Sequence, residues 1–384
     1  MSKPATVVIG LGLAQTLAWG STYYLPAILA NAIAAELGIA TAWVFTAFSC
    51  GLLLSALLGP AAGRLIDLHG GRRVLPVSNL VFAAGLALLG FSSGIIPLFV
   101  AWLVIGAGMG AGLYEAAFAT LAGIYGQEAR RSITGITLIA GFASTVCWPI
   151  SAYLDVTVGW RATCYTWAVA HLVLGLPINL LLPRPRRAEK AVQPQPAAAA
   201  GRRRLLLMAG LSFVFAATWF CSTSMAAHLP RVLQESGASL AAAVAAAALV
   251  GPAQVGARVL EFWFMRRFHP IVSARIASLA HPVGAAGLMA AGSPAATGFA
   301  VLHGAGNGVM TITMGTLPLA LFGAAGYGLR QGLMIAPARF VSASAPFLFD
   351  LLLSRFGTAS LAVTGGLGIA AFTVLTLIQD RKRA

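Results

Sequence analysis

Apolar runs of roughly 20 residues follow one another along the whole chain, and short polar segments separate them. A helix of that length crosses the hydrocarbon core of a bilayer, so each run predicts a transmembrane helix. Such runs occupy residues 6–33, 42–66, 75–93, 96–124, 132–156, 160–183, 205–229, 239–264, 272–291, 295–322, 332–354 and 358–379. The pattern predicts an all-α polytopic membrane protein with twelve transmembrane helices.

Composition supports this interpretation of the pattern. Hydrophobic residues make up 59% of the chain and charged residues 9%, and the mean hydropathy is +0.85. Soluble domains carry far more charge than this. The first apolar run has no clear small-residue cleavage site and leads straight into the next, so we expect a span rather than a signal peptide.

The formal net charge of +15 is distributed unevenly over the predicted loops. Most basic residues, including the pair Arg72 and Arg73, fall on one side of the twelve-span arrangement. The opposite loops hold only Arg161, Arg231 and Arg355. Because basic loops stay in the cytoplasm, both termini are predicted to be cytoplasmic, in a bacterial inner membrane. The charge is therefore a topology signal, and nucleic-acid binding is not expected.

One segment interrupts the apolar rhythm near the middle of the chain. Residues 184–204, "RPRRAEKAVQPQPAAAAGRRR", are basic and rich in Pro and Ala, without an apolar face. This composition is typical of a flexible cytoplasmic linker. The predicted organisation is a six-helix bundle at 1–183, the linker at 184–204 and a second six-helix bundle at 205–384.

The two halves carry matching short segments. "GRLIDLHGGRR" (63–73) aligns with "ARVLEFWFMRR" (257–267), which places Asp67 over Glu261. Two further matches follow in the same order, "GAGMG" (106–110) with "GAGNG" (304–308), and Pro149 with Pro346. The offsets are 194, 198 and 197 residues, close to half the chain. The chain is therefore interpreted as an internal duplication of a six-helix unit, which is one of the repeat plans of transporters.

The end of the second span resembles a family signature. Gly63-x-Leu65-x-Asp67-x-x-Gly70-x-Arg72-Arg73 is similar to the loop between spans two and three of the major facilitator superfamily, with a weaker copy between spans eight and nine. Leu68 departs from the usual basic residue. The resemblance implies two pseudo-symmetric six-helix bundles, a central cavity, and secondary active transport of a small solute by alternating access.

The same resemblance implies a cytoplasmic gate. In the family, the acid of the signature ties a cytoplasmic helix end to a neighbouring helix and helps to lock the outward-open state. Asp67 takes that role here, with Arg72 and Arg73 beside it and Glu261 as the degenerate partner. Charges near the interface can pair and snorkel at far lower cost than at the bilayer centre. Arg258 is interpreted either as a gate or packing charge or as a group that meets the solute.

Two arginines point to the solute. Arg258 and Arg339 fall in spans eight and eleven, where oxalate–formate and monocarboxylate transporters carry basic residues that hold the substrate carboxylate. Drug antiporters usually carry an arginine in span four, near the position of Trp102 here, so drug efflux is disfavoured. The resemblance thus favours a small organic anion, and transport of an aromatic or drug-like solute is a second alternative.

Glu115 lies near the middle of span four, and intramembrane ionisable groups are functional candidates by default. Spans 1, 4, 7 and 10 line the cavity in this superfamily, so the resemblance implies that Glu115 faces the cavity as a proton carrier. The alternative interpretation is a structural one, in which Glu115 forms an interhelical hydrogen bond. Further polar and aromatic residues of the cavity-lining spans complete the predicted solute site: Trp19, Tyr23, Tyr24, Tyr114, His303 and Asn307.

Sulfur and imidazole groups in spans seven and ten give an alternative hypothesis. The group comprises Cys221, Met225, His228, Met310 and Met314, at near-helical spacings. Core packing is the ordinary role of a Met stripe. Thioether, thiol and imidazole ligands also suit Cu(I), so a soft-metal importer is the alternative function. None of the four cysteines has a CxxC spacing, so neither a disulfide framework nor a zinc knuckle is predicted.

Catalysis has no support in the sequence. The chain contains no HExxH, GxSxG or GxxxxGK[ST] segment. We expect a monomeric symporter that needs no cofactor and has the solute and the lipid bilayer as its partners. Its transport is expected to be coupled to protons or to exchange, with the proton as the coupling ion. A transporter-like receptor is the rival class, and only a flux measurement separates the two.

Overall fold

The structure is a computed structural model that describes residues 4–183 and 198–378. Helices fill nearly all of these two ranges, and no strand occurs within them. The predicted linker lies outside the described residues as far as residue 197, as do Lys3 and the basic tail from Arg381 to Arg383.

The chain divides into two compact units. The first comprises Met1–Glu189 and Leu321–Ala336, and the second comprises Lys190–Ala320 and Pro337–Ala384. The helices of the N-terminal half are α1 Pro4–Ser21, α2 Pro26–Leu37, α3 Thr41–His69, α4 Gly71–Phe91, α5 Ile95–Gly112, α6 Tyr114–Tyr125, α7 Ala129–Ala140, α8 Ala143–Ala170 and α9 Leu176–Leu180. A π-helical turn, His171–Gly175, joins the last two.

The helices of the C-terminal half are α10 Ala198–Glu235, α11 Leu240–Ala248, α12 Val250–Trp263, α13 Pro270–Ala291, α14 Ala296–Phe322, α15 Tyr327–Phe356 and α16 Leu361–Leu377. Every predicted span coincides with one of these helices or with two consecutive ones. The compact units part within α15, because its first turns cluster with the N-terminal helices and its remainder, from Pro337, clusters with the second unit.

Eight continuous helical stretches of the described chain are long and apolar enough to cross a membrane. The longest, Ile95–Leu180, has 86 residues. A single crossing needs about 20 residues, so this stretch contains several crossings. It includes a kink at Gly159, whose φ of +83° lies in the left-handed region that favours glycine. The kink separates the predicted fifth and sixth spans.

Span one is interrupted between α1 and α2. Pro26 begins α2 and has no N–H to donate, so the helix does not run through residues 22–25. Ser21 Oγ donates to the Leu17 carbonyl at 2.7 Å, and the Tyr24 N–H donates to the Trp19 carbonyl at 3.1 Å. These bonds satisfy polar groups that lipid could not satisfy.

Span four is interrupted at Leu113, whose backbone is extended (φ −85°, ψ −167°). The Gln15 side chain in α1 donates from Nε2 to the Gly112 carbonyl at 2.7 Å. A break at membrane depth is tolerated only where neighbouring protein groups satisfy the backbone, and Gln15 supplies that bond. The break fixes where α6 begins, and therefore where Tyr114 and Glu115 lie.

Glycines let the helices of the first unit pack closely. A Cβ atom on Gly51 in α3 would lie 2.5 Å from the Trp102 carbonyl oxygen in α5, and one on Gly106 would collide with Gly51. Small residues of this kind let the backbones of membrane helices approach one another. The "GAGMG" segment is therefore a packing surface between α3 and α5.

Candidate functional site

Four aromatic residues predicted at the site cluster around the break in span one. The Trp19 ring lies 5.1 Å from Tyr23, 6.0 Å from Tyr24 and 4.9 Å from Tyr114, measured between ring centroids. The turn after α1 brings the two tyrosines back toward Trp19, and the break in span four presents Tyr114 to the same ring. The sequence prediction named all four residues, and the structure brings them together as one aromatic cluster.

Three further aromatic residues extend the aromatic cluster. Phe48 of α3 packs 5.6 Å from Tyr23, Trp148 of α8 packs 6.0 Å from Tyr24, and Phe118 stacks on Tyr114 at 5.4 Å. Sequence reasoning missed them because a single aromatic residue in an apolar helix carries no signal of its neighbours. Helical periodicity would have found Phe118, which is four residues after Tyr114 on the same helix face.

Glu115 occupies the first turn of α6, directly after the break in span four, and is half-buried. An acid in the first turn is favourable because the unpaired N–H groups carry partial positive charge. Glu115 lies within electrostatic range of the Tyr327 hydroxyl, which is also near Asp67 and Arg330. Tyr327 is fully buried. The Tyr327 phenol therefore lies within electrostatic range of two acids and a guanidinium in the first unit.

Asp67 binds the N-terminus of α15. Its Oδ1 accepts from the Gly328 N–H at 2.8 Å, and its Oδ2 accepts from the Leu329 N–H at 2.9 Å. Both donors belong to the first turn of the helix, where N–H groups have no partner within the helix. Gly63, one turn earlier in α3, has no Cβ, and a Cβ there would collide with the Gly328 carbonyl. The signature segment thus docks the beginning of α15.

The other predicted gate residues differ in their surroundings. Arg72 and Arg73 are exposed, and neither forms an ion pair with another described residue. Glu261 is buried, and its Oε2 accepts from the Ser273 hydroxyl of α13 at 2.8 Å. The two acids that align in the sequence repeat therefore have different surroundings. Glu261 is buried and bonds to a side chain, whereas Asp67 is exposed and bonds to backbone N–H groups.

Arg258 is buried in the second unit at the GAGNG segment of α14. Its Nε donates to the Gly308 carbonyl at 3.3 Å. A Cβ on Gly308 would lie 2.5 Å from the Gln254 carbonyl oxygen, one turn before Arg258. The close approach of α12 and α14 at this glycine allows the guanidinium to reach a backbone carbonyl. A buried guanidinium requires such dipoles or anions, because arginine effectively cannot lose its proton.

Arg339 lies near the middle of α15, twelve residues after Tyr327 and seventeen before Phe356, and is half-buried. Residues of α15 that lie three to seven positions after Arg339 form hydrogen bonds with α10. Thr223 and Ser342 hydroxyls lie 3.0 Å apart, and His228 Nε2 lies 2.9 Å from the Pro346 carbonyl oxygen. Because Arg339 precedes Ser342 by three residues and Pro346 by seven, it shares this helix face.

Two of the three arginines of the predicted outer loops, Arg161 and Arg231, are paired with acids. Arg161 Nε lies 2.8 Å from Glu36 Oε1, and Arg231 Nη1 lies 2.6 Å from Asp350 Oδ1. The hydrogen bond from Arg161, and next that from Trp160, holds the pKa of Glu36 below its usual value. These pairs join helix ends within each unit.

A cavity of about 40 Å³ lies inside the second unit, between α10, α13, α14 and α16. Its polar lining comprises Thr218, Cys221, Ser222, Ser278, His281, His303 and Asn307, and Met310 borders it. His303 and Asn307 were predicted for the solute site, and Cys221 and Met310 for the alternative metal site. His281 was missed, because a histidine beside a proline in an apolar run has no recognisable pattern.

The remaining residues of the metal hypothesis lie elsewhere. Met225 is a fully buried core residue, His228 bonds to the Pro346 carbonyl, and Met314 is buried away from the cavity lining. The two sulfur atoms at the cavity already take part in hydrogen bonds within the protein. The Cys221 thiol donates to the Thr364 carbonyl at 3.4 Å, and Met310 Sδ accepts from the Thr313 hydroxyl at 3.1 Å. No group of three or more His, Cys, Asp or Glu suited to a metal occurs in 4–183 and 198–378.

The apolar helices and their satisfied breaks define a polytopic α-helical membrane protein. The sequence matches the profile of the Major Facilitator Superfamily over residues 11–333. The chain belongs to this superfamily and is a multi-pass membrane protein. The predictions of family and of fold class, twelve transmembrane helices in two six-helix bundles, are confirmed.

Solved structures share the fold at low sequence identity. The E. coli fucose:proton symporter matches with a TM-score of 0.74 and 14% identity, over 96% of this chain and 98% of that one. The human organic anion transporter MFSD10 matches with a TM-score of 0.73 and 16% identity, over 97% of this chain and 98% of that one. These likenesses establish the fold alone.

A curated relative is similar over part of the chain. Monocarboxylate transporter 14 of Mus musculus is 30% identical over 151 residues, which is 39% of this chain. The aligned part spans 28% of that relative's own length.

Proposed function

We propose that the chain moves a small organic anion, a carboxylate, across the membrane by alternating access, with the proton as the coupling ion. Arg339 is the anchor for the carboxylate, Arg258 contributes positive potential, and Glu115 carries the proton. The observation that carries the proposal is the position of Arg339, a half-buried permanent cation near the middle of a membrane-spanning helix.

A permanent cation in this position is energetically costly, so its presence indicates a function. A charged side chain at the bilayer centre is unfavourable by at least about 2.5 kcal/mol and therefore faces the protein interior or a water-filled cavity. A guanidinium offers paired N–H donors that match the two oxygens of a carboxylate. The face of α15 that carries Arg339 is the face that bonds to α10, so the cation lies along a polar helix contact.

The same helix contact provides an aromatic neighbour at the level of Arg339. Thr223 pairs with Ser342, so α10 and α15 run in register with an offset of 119 residues. One turn earlier, this register places Arg339 beside Trp219 and Phe220. Their rings form an apolar wall for the solute at this level.

Glu115 suits the role of proton carrier because of where α6 begins. Its carboxyl lies at a helix N-terminus, next to an interrupted backbone and near the Tyr327 hydroxyl. In the proposal, this carboxyl takes up and releases the coupling proton as the protein alternates between its two conformations.

The named substrates of related proteins favour an anion. One relative is a monocarboxylate transporter, and one structural neighbour is an organic anion transporter. Another neighbour is a fucose:proton symporter, which makes a neutral sugar the natural competitor in any test.

The binding step is tested by thermal denaturation of the purified protein with lactate, pyruvate, fucose, an aromatic carboxylate and an amphipathic drug. We expect lactate or pyruvate to raise the midpoint, because a ligand at 100 times its Kd adds about 2.7 kcal/mol to the free energy of unfolding. Arg339→Gln should abolish the shift, and Arg339→Lys should weaken it because lysine lacks the planar fork.

Arg355→Gln is the matched control, since Arg355 is an exposed arginine at the far end of the same helix. It should retain the full carboxylate shift. Stabilisation of wild type by fucose or the drug alone, or equal stabilisation of Arg339→Gln by lactate, contradicts the proposal.

A soft-metal importer is the second candidate, favoured by the meeting of Cys221, Met310 and His303 at one cavity. Stabilisation by Cu(I) or Ag(I) that is lost in Cys221→Ser, with no response to carboxylates, would support it. Met310→Leu with Met314→Leu should leave carboxylate binding intact if Arg339 is the anchor.

A further inference from the structure

His281 and His303 form a hydrogen-bonded pair inside the second unit. Their Nδ1 atoms lie 3.0 Å apart, and the ring centroids are 5.0 Å apart at an angle of 70°. Both side chains are more than nine-tenths buried. The pair joins neighbouring helices, α13 and α14, and borders the 40 Å³ cavity.

Small residues one turn away bring the two helices together. A Cβ on Gly306 would lie 2.8 Å from the Ala277 carbonyl oxygen, so α13 and α14 approach closely at this level. Ala277 precedes His281 by four residues and Gly306 follows His303 by three, so the rings face each other across the contact. Phe299 packs against both rings, at 5.5 Å and 6.2 Å. The geometry is therefore set by the helix packing.

The bond between two Nδ1 atoms fixes the protonation of the pair. One ring must carry its proton on Nδ1 and donate it, so its Nε2 is unprotonated. The other ring accepts at Nδ1, so its proton is on Nε2. A single added proton therefore binds the bare Nε2 and leaves the bond between the rings intact. A second added proton would set two N–H groups against each other and break that bond. The pair is built to take one proton.

His281 Nε2 has the properties expected of the receiving atom. It is fully buried and has no hydrogen-bond partner among the described residues. A buried polar atom without a partner is rare in a native protein and calls for an explanation. The cavity beside the pair exceeds the volume of about 10–15 Å³ that a water molecule needs, and its hydroxyl and amide lining suits water.

Among the described residues that line the cavity there is no acid and no permanent cation. The residues lining the cavity include one other titratable group, the Cys221 thiol of α10, which donates to the Thr364 carbonyl of α16. Those from α14 and α16 add none beyond His303. On α13 itself, Arg275 lies six residues before His281, and its guanidinium donates to the Leu375 carbonyl at 3.0–3.1 Å.

We propose that the His281–His303 pair and its cavity form a second proton-binding site, which takes and releases one proton shared by the two rings. This site is separate from Glu115, and the proposal stands whether or not the transported solute is a carboxylate.

The test is a histidine NMR titration of the full-length protein in lipid nanodiscs, with labelled imidazole nitrogens, from about pH 4 to about pH 9. His281→Asn and His303→Asn each assign the pair among the six histidines. His228→Asn is the control, because His228 bonds to the Pro346 carbonyl instead.

We expect both rings of the pair to titrate at one common midpoint, each with about half the shift of a full imidazolium. Loss of either partner should remove the shared step and leave the His228 signal unchanged. Independent midpoints for the two rings, or no titration of either ring in the folded protein, overturns the proposal. If one variant fails to fold, the other still assigns the pair and the wild-type titration decides the outcome.

Discussion

At the scale of single residues, Asp67 shows how a loop signature becomes a structural contact. Its two carboxylate oxygens accept from two consecutive N–H groups at the start of α15. The sequence could predict that this acid binds a neighbouring helix end, because the signature resembles a family motif. It could not predict the donors, because backbone N–H groups carry no sequence signal and Gly328 lies 261 residues away.

Replacing Asp67 by Asn should weaken this contact. Asparagine keeps one acceptor oxygen, but its NH₂ group faces the second N–H donor, so one charge-assisted bond is lost at a cost of about 1–2 kcal/mol. We expect faster hydrogen exchange at the Gly328 and Leu329 amides, measured by mass spectrometry. Glu128→Gln, an exposed acid with no ion pair among the described residues, should change neither amide. Unchanged exchange in the Asp67 variant would contradict the capping role.

The pair His281 and His303 shows where prediction from single residues fails. His303 was predicted because it is a polar residue of span ten, which lines the cavity in this superfamily. His281 was not predicted, because its partner lies in the next helix, 22 residues away. A hydrogen bond between helices depends on their rotation about their own axes. Periodicity gives the rotation of one helix against its own core and not against a chosen neighbour.

At the scale of elements, the apolar runs predicted every transmembrane helix, because bilayer thickness imposes a length that composition reveals. The breaks within spans one and four were not predicted. Pro26 indicates the first break, because proline begins a new helix there. Gly112 and Leu113 do not differ in sequence from other glycine-rich positions that remain helical. The second break depends on Gln15 of another helix, so it is a tertiary property.

Close packing of α3 against the beginning of α15 can be tested with two glycines of the same helix. A Cβ on Gly63 would collide with the Gly328 carbonyl, whereas a Cβ on Gly59 meets nothing within 4 Å. Gly63→Ala should therefore destabilise the protein by about 1–3 kcal/mol through overpacking. Gly59→Ala should stabilise it by about 0.5–1 kcal/mol, because alanine favours the helix.

The thermal unfolding midpoints of both variants, in the same detergent, measure this difference. An equal rise in both midpoints would show that Gly63 is not in tight contact, and the docking of α15 by the signature segment would be wrong.

At the scale of the whole molecule, the duplicated segments predicted the correct fold class, because six-helix repeats are one of the repeat arrangements of transporters and the family match confirms the fold class. The boundary of the two predicted domains at 184–204 remains a prediction. The compact units part within α15, so its first turns cluster with the N-terminal helices. A repeat in the sequence marks evolutionary units, whereas compactness depends on contacts such as those of Asp67.

The central claim is that a carboxylate crosses the membrane with Arg339 as its anchor. The direct measurement is uptake of labelled lactate into proteoliposomes under an imposed pH gradient, for wild type, Arg339→Gln, Arg355→Gln and Glu115→Gln. We predict accumulation driven by the gradient in wild type and Arg355→Gln, none in Arg339→Gln, and exchange without accumulation in Glu115→Gln. Undiminished uptake by Arg339→Gln, or uptake of fucose but not lactate by wild type, would contradict the account.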